Sequence, residues 1–68
     1  MVKTELLKEA LQASGLKRTF IAEQMGLTLQ TLNNKCSGKT EFTISEVNKM
    51  CHLLNLPKRQ RDIIFFEM

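Results

Sequence analysis

The chain has 68 residues, of which 43% are hydrophobic and 25% charged, with a net charge of +3. This length predicts a single domain over residues 1–68, with one small core and no room for a deep substrate cavity. No apolar run approaches the ~20 residues that span a bilayer. The first residues also lack the apolar core of a signal peptide, so the expectation is a cytoplasmic protein with no membrane partner.

The apolar periodicity is helical throughout, and nothing alternates like a strand, so the predicted class is all-α with five helices. Helix 1 is expected from about Lys3 to Ser14, with Leu6, Leu7, Ala10 and Leu11 on one stripe and Gly15 as its left-handed end. Helix 2 is expected from about Arg18 to Met25, with Ile21, Ala22 and Met25 inward and Gly26 closing it. Thr28 suits the N-cap of helix 3, which runs to about Cys36 before Gly38 stops it.

Thr43 and Glu46 have the spacing of a capping box, which starts helix 4 over about Ile44 to Leu54. Ile44, Val47, Cys51 and Leu54 are expected inward, and Phe42 and Val47 can staple that start. Asn55 is a suitable cap, and Pro57 fits the first turn of helix 5. Helix 5 ends in Ile63, Ile64, Phe65 and Phe66. Four consecutive apolar residues cover most of a helix circumference. One side can pack on helix 1, while the other stays exposed or meets a partner. Ile63, Phe65 and Phe66 are therefore the candidate contact of a homodimer, the alternative being that the aromatics are satisfied inside one chain.

The spacing of Ala22, Gly26 and Leu32 is that of a helix-turn-helix. Two steeply crossing helices need a small residue at their contact, which Ala22 supplies. The bend needs a residue tolerant of positive φ, which Gly26 supplies. Leu32 then anchors the second helix. Charge follows the same segment. Between residues 17 and 40, Lys17, Arg18, Lys35 and Lys39 face only Glu23, a local +3, whereas residues 1–16 balance. A surface facing phosphates would carry that excess.

With Leu32 at the centre of the buried face, an advance of about 100° per residue puts Leu29 and Cys36 on the inner stripe. Gln30, Asn33, Asn34 and Ser37 fall on the outer face. Carboxamides donate and accept together, which matches the N6 and N7 edge of adenine. Gln30, Asn33 and Asn34 are thus candidate base contacts, favouring positions with A·T pairs. Leu29, at the edge of the stripe, either packs inward or touches a thymine methyl. Lys17, Arg18 and Thr19 open helix 2, where free amides and the helix dipole favour an anion. Lys35, Lys39 and Thr40 flank helix 3, and Thr28 and Ser37 stand at its two ends. These eight are the candidate phosphate contacts.

Other chemistry is poorly supported. His52 beside Cys51, with Cys36 elsewhere, has neither the CxxC nor the HxxxH spacing of a metal site. The cysteines read as small buried hydrophobes. No glycine-rich phosphate loop is present, so no cofactor, metal, small-molecule substrate or catalysis is expected.

The stretch from Arg18 through Thr28, with Leu32 and Ser37-Gly38-Lys39 behind it, resembles the Cro and phage-repressor-like helix-turn-helix family. Thr31 through Thr43, with Ile64-Phe65-Phe66, is similar to small Cro-like regulators from phages of Gram-positive bacteria. The resemblance covers nearly the whole chain. It implies a compact five-helix, lambda-repressor-like domain that binds a double-stranded DNA operator, usually as a dimer. By motif position, it implies base contacts at Leu29, Gln30, Asn33 and Asn34 and phosphate contacts at the start of helix 2. Arg18 departs from the family pattern, which often has a glutamine there that bonds phosphate and buttresses a base contact. Phe20 is large where polar residues are common, and Cys36 replaces a more usual leucine. The alternative reading is a modulator, or antirepressor, that binds another repressor protein in place of DNA. An antitoxin-like or accessory role shares the same fold.

Overall fold

Helix punctuation sets the architecture. The computed structural model describes residues 2–66, and among them every regular element is helical. The elements are α1 (Thr4–Ser14), α2 (Arg18–Met25), α3 (Leu29–Cys36), α4 (Ile44–Leu53) and α5 (Lys58–Arg61), which runs on into one π-helical turn, Asp62–Phe66. The five predicted helices are therefore present.

Each end has a local cause. Gly26 sits at φ +70°, and the amides of Gly26 and Leu27 bond back to the carbonyls of Glu23 and Ala22. A Cβ there would meet nothing within 4 Å, so the dihedral and not the space requires glycine. Thr28 caps α3, its Oγ1 accepting from the Thr31 amide at 3.1 Å. The capping box of α4 is complete: the Glu46 amide donates to Thr43 Oγ1, and the Thr43 amide donates to Glu46 Oε1. Asn55 ends α4 in the left-handed region at φ 56°, which the short polar side chain tolerates. Pro57 is the N-cap of α5 rather than a first-turn residue, and its carbonyl accepts from the Arg61 amide.

The core is drawn from α1 to α4 and from the π turn. Leu7 and Leu11 from α1 meet Ile21, Ala22 and Met25 from α2, with Leu32 and Cys36 from α3 beneath them. Val47, Met50, Cys51 and Leu54 close it from the α4 side, and Ile64 and Phe65 from the C-terminal turn. Phe42 and Phe65 meet edge to face, 5.4 Å between centroids and 87° between planes.

Several inward assignments are corrected. Leu6 and Ile44 are exposed, Ile44 at 65%, because Ile44 lies in the first turn of α4, beyond the edge of the core. Met50, not among the residues expected inward, is fully buried. Phe65 is buried and its ring is packed on Phe42 within the chain, so it has no surface for a second copy. The π turn explains this. One extra residue per turn brings adjacent Ile64 and Phe65 inward together and leaves Ile63 37% exposed and Phe66 half-buried. The Ile64 carbonyl also accepts from the Lys3 amide at 2.8 Å, joining the two ends of the domain.

Candidate nucleic-acid interface

The motif is built by contact between α2 and α3. Ala22 is buried where the helices meet, and Leu32 is fully buried beneath them. With Leu32 inward, Gln30 is exposed and Asn33 and Asn34 are half-buried on the outer side of α3. Leu29 is 41% exposed, so it does not belong to the inner stripe. It stands at the first position of α3, on the same rim as Gln30. Phe20 is also exposed, on α2.

The start of α2 is open. Lys17 is its N-cap and gives no side-chain cap, and the first intrahelical bond runs from the Ile21 amide to the Lys17 carbonyl. The amides of Arg18, Thr19 and Phe20 therefore form the positive end of the helix. Lys17 and Thr19 are exposed beside it. At the other end of α3, the Asn34 carbonyl collects the Lys39 amide at 2.9 Å and the Thr40 amide at 3.3 Å. This turn leaves the Lys39 and Thr40 side chains exposed.

Besides Arg18, three residues from the expected phosphate set are engaged within the fold. Lys35 Nζ bonds the Glu41 carbonyl at 2.9 Å and pairs with Glu46 Oε1 at 3.0 Å, tying α3 to the start of α4. Thr28 Oγ1 donates to Thr31 Oγ1 while it caps α3. Ser37 Oγ donates to the Asn34 carbonyl at 3.1 Å. The Thr28 and Ser37 hydroxyl protons are already donated within the chain, and the Lys35 charge is largely balanced by Glu46.

Sequence reading missed one link. Arg18 Nη1 donates to Asn33 Oδ1 at 2.8 Å, across fifteen residues. The sequence offers Arg18 as a phosphate contact and a departure from the family pattern, and no local spacing signals a bond from the first residue of α2 to the middle of α3.

Burial pushes both cysteine thiols up. The Arg18 charge opposes this at Cys36; at Cys51 Arg61 opposes it and Asp62 adds to it. Both side chains are buried and unpaired by disulfide, as inert packing groups. Among the described residues no three His, Cys, Asp or Glu side chains converge as a metal site, and no helix is long and apolar enough to cross a membrane.

A family model described as helix-turn-helix matches residues 7–60, well over half of the chain. The chain belongs to the helix-turn-helix family. It is a DNA-binding regulatory domain of a kind not typically enzymatic. Neither the curated proteins nor the solved structures gave a significant match. The matched span of this helix-turn-helix protein takes in α2, the Gly26 turn and α3, and extends to within the C-terminal helix.

The Lys35–Glu46 pair yields a pH signature. Burial pushes the Glu46 carboxyl up, but the Thr43 amide, the Lys35 ammonium and the Thr43 hydroxyl outweigh it and hold the group below the ordinary glutamate range. A depressed value favours the folded chain only while the carboxylate is ionised. That contribution is complete above the unfolded value of about 4.3 and is lost as the pH falls through the folded value. Glutamine keeps the capping geometry without the charge. Glu46→Gln is therefore expected to be about 1 kcal/mol less stable than the parent at pH 7. Urea melts should show the gap closing between about pH 5 and pH 3. A gap of the same size at pH 3 would assign the loss to something other than the ion pair.

Proposed function

We infer that this chain is a sequence-specific, double-stranded DNA-binding transcriptional regulator of the Cro-like phage or prophage repressor kind, reading the major groove with α3. The observation that carries this reading is the outward row of Gln30, Asn33 and Asn34 on a helix anchored by Leu32. Leu29 and Gln30, at the exposed start of α3, reach bases first, Leu29 through a thymine methyl. Lys17, Arg18 and Thr19 on one side, and Lys39 and Thr40 on the other, hold the two backbones. Phosphate contacts of this kind position the helix, while the amides select sequence.

Two copies on a pseudo-palindrome would place their α3 helices about 34 Å apart. Ile63, 37% exposed, and the half-buried Phe66 are the residues left to make their contact. A clean monomer on the selected duplex would remove this dimer.

Three unengaged or partly engaged cations per copy, Lys17, Arg18 and Lys39, set the expected salt response. Each neutralised phosphate contributes about 0.9 to the slope of log K against log salt, so the slope should be near 3 per copy and near 5 for a pair. On a duplex selected from a random pool, Gln30→Ala is expected to cost about 1–3 kcal/mol and relax one position. Lys39→Ala should weaken all sequences alike and flatten the slope by about one. Titrations by fluorescence anisotropy at several salt concentrations read both.

The engagement of Lys35 by Glu46 lowers the charge offered to DNA and favours a second reading, an antirepressor that binds another repressor protein. A slope near zero, with tight binding to a separate repressor, would establish that reading over the first.

A further inference from the structure

The three outward amides of α3 look alike in sequence, but the structure treats them differently. Asn33 alone among them has its side chain bonded, by Arg18 Nη1 at 2.8 Å. It is the single side-chain hydrogen bond between α2 and α3 among the described residues. A guanidinium has five donors and no acceptor, so the Asn33 atom facing it must be the carbonyl oxygen. The Nδ2 amino group is then turned away from Arg18. Reversing the amide would set donor against donor.

This bond also changes the chemistry of the amide. A cation bound at Oδ1 draws electron density from the oxygen, which weakens its remaining lone pair and strengthens the N–H donors. Adenine is read by a group that accepts from N6 and donates to N7. An amide whose oxygen is committed to a cation does the first of these poorly. Guanine, with N7 and O6, and thymine, with O4, present acceptors to the major groove and need only a donor.

We propose that Arg18 is a positioning residue for specificity: by holding Asn33 Oδ1, it makes Asn33 a donor that selects an acceptor edge, guanine or thymine, in preference to adenine. The inference rests on the DNA-reading function proposed above. It reverses the adenine preference that the residue type alone suggests for Asn33. Gln30 and Asn34 lack such a clamp and keep the adenine-matching pattern.

The test uses the full chain and duplexes selected from a random pool. The base pair read by Asn33 is the one at which Asn33→Ala loses its preference. All four bases are then compared there by competition. The parent is expected to favour guanine or thymine over adenine by about five- to tenfold, with the competition arms separating the two acceptors. Arg18→Met keeps the stem but removes the donors, and should move the preference at that one position toward adenine. Arg18→Lys keeps a cationic donor and should retain the parent pattern. Asn33→Asp keeps the Arg18 partner but presents only acceptors, and should favour cytosine through its N4 amino group. Circular-dichroism melts establish that each variant is folded, and the parent's own preference at that position carries the test if Arg18→Met is not. Adenine preferred by the parent, or a preference unmoved in Arg18→Met or Asn33→Asp, would overturn the inference and leave DNA reading intact. A parent chain that selects no duplex over random sequence would overturn DNA reading itself, and this inference with it.

Discussion

Leu32→Ala is expected to destabilise the fold by about 2–5 kcal/mol, enough to unfold much of the population at 37 °C. Leu32 is fully buried, and it is the residue through which α3 is seated on α1 and α2. Removing three carbons leaves a cavity at the meeting of three helices, which the other anchors of α3, buried Cys36 and the Arg18–Asn33 and Lys35–Glu46 pairs, do not fill. A domain of this size has a total stability of only roughly 3–10 kcal/mol. Urea melts followed by circular dichroism should show a lower midpoint with an unchanged slope. Leu29→Ala is the paired control. Leu29 is on the rim, so its truncation should shift stability by no more than about 0.5 kcal/mol. Equal losses at the two positions would mean that α3 is rotated relative to the core, and that Gln30, Asn33 and Asn34 do not share an outward face.

Phe65→Ala is expected to be comparably severe, about 3–5 kcal/mol. Its ring is buried in the C-terminal turn and set edge to face against Phe42, which precedes the capping box of α4. The loss should therefore reach beyond the last turn, loosening the entry to α4 and the bond between Lys3 and Ile64 that joins the chain ends. Because the contacts lie within one chain, the loss should be the same at every protein concentration. A ring spent on a second copy would make it concentration-dependent. Ile63→Ala should behave in the opposite way, nearly neutral in the melt and felt only where two copies meet.

The capping box and the Ala22, Gly26 and Leu32 spacing were legible because each signal is local. A cap is decided within four residues, a left-handed turn by a single dihedral, and a buried stripe by 3.6-residue periodicity. Five helices and the outward side of α3 followed from such rules. Position on a stripe was legible only near its centre. Leu6, Leu29 and Ile44 lie at stripe edges or helix ends, where exposure depends on how far the neighbouring helix extends.

The charged groups were the least legible. Four cations near the motif counted alike as a local excess, yet Lys35 is consumed by Glu46 and the Glu41 carbonyl, and Arg18 is bonded to Asn33. Periodicity says which side of its own helix a lysine occupies. It does not say which carboxylate a different helix brings to it.

Chain order and local chemistry were thus sufficient for the helices, their ends and the direction of the α3 amides, because backbone hydrogen bonding and side-chain period act over one turn. Docking the helices against each other assigned partners to those side chains. It set Arg18 on Asn33, closed Lys35 onto Glu46 and folded Phe65 beneath Phe42. Those pairings depend on distances between elements far apart in the chain, and such distances exist only once the core has formed.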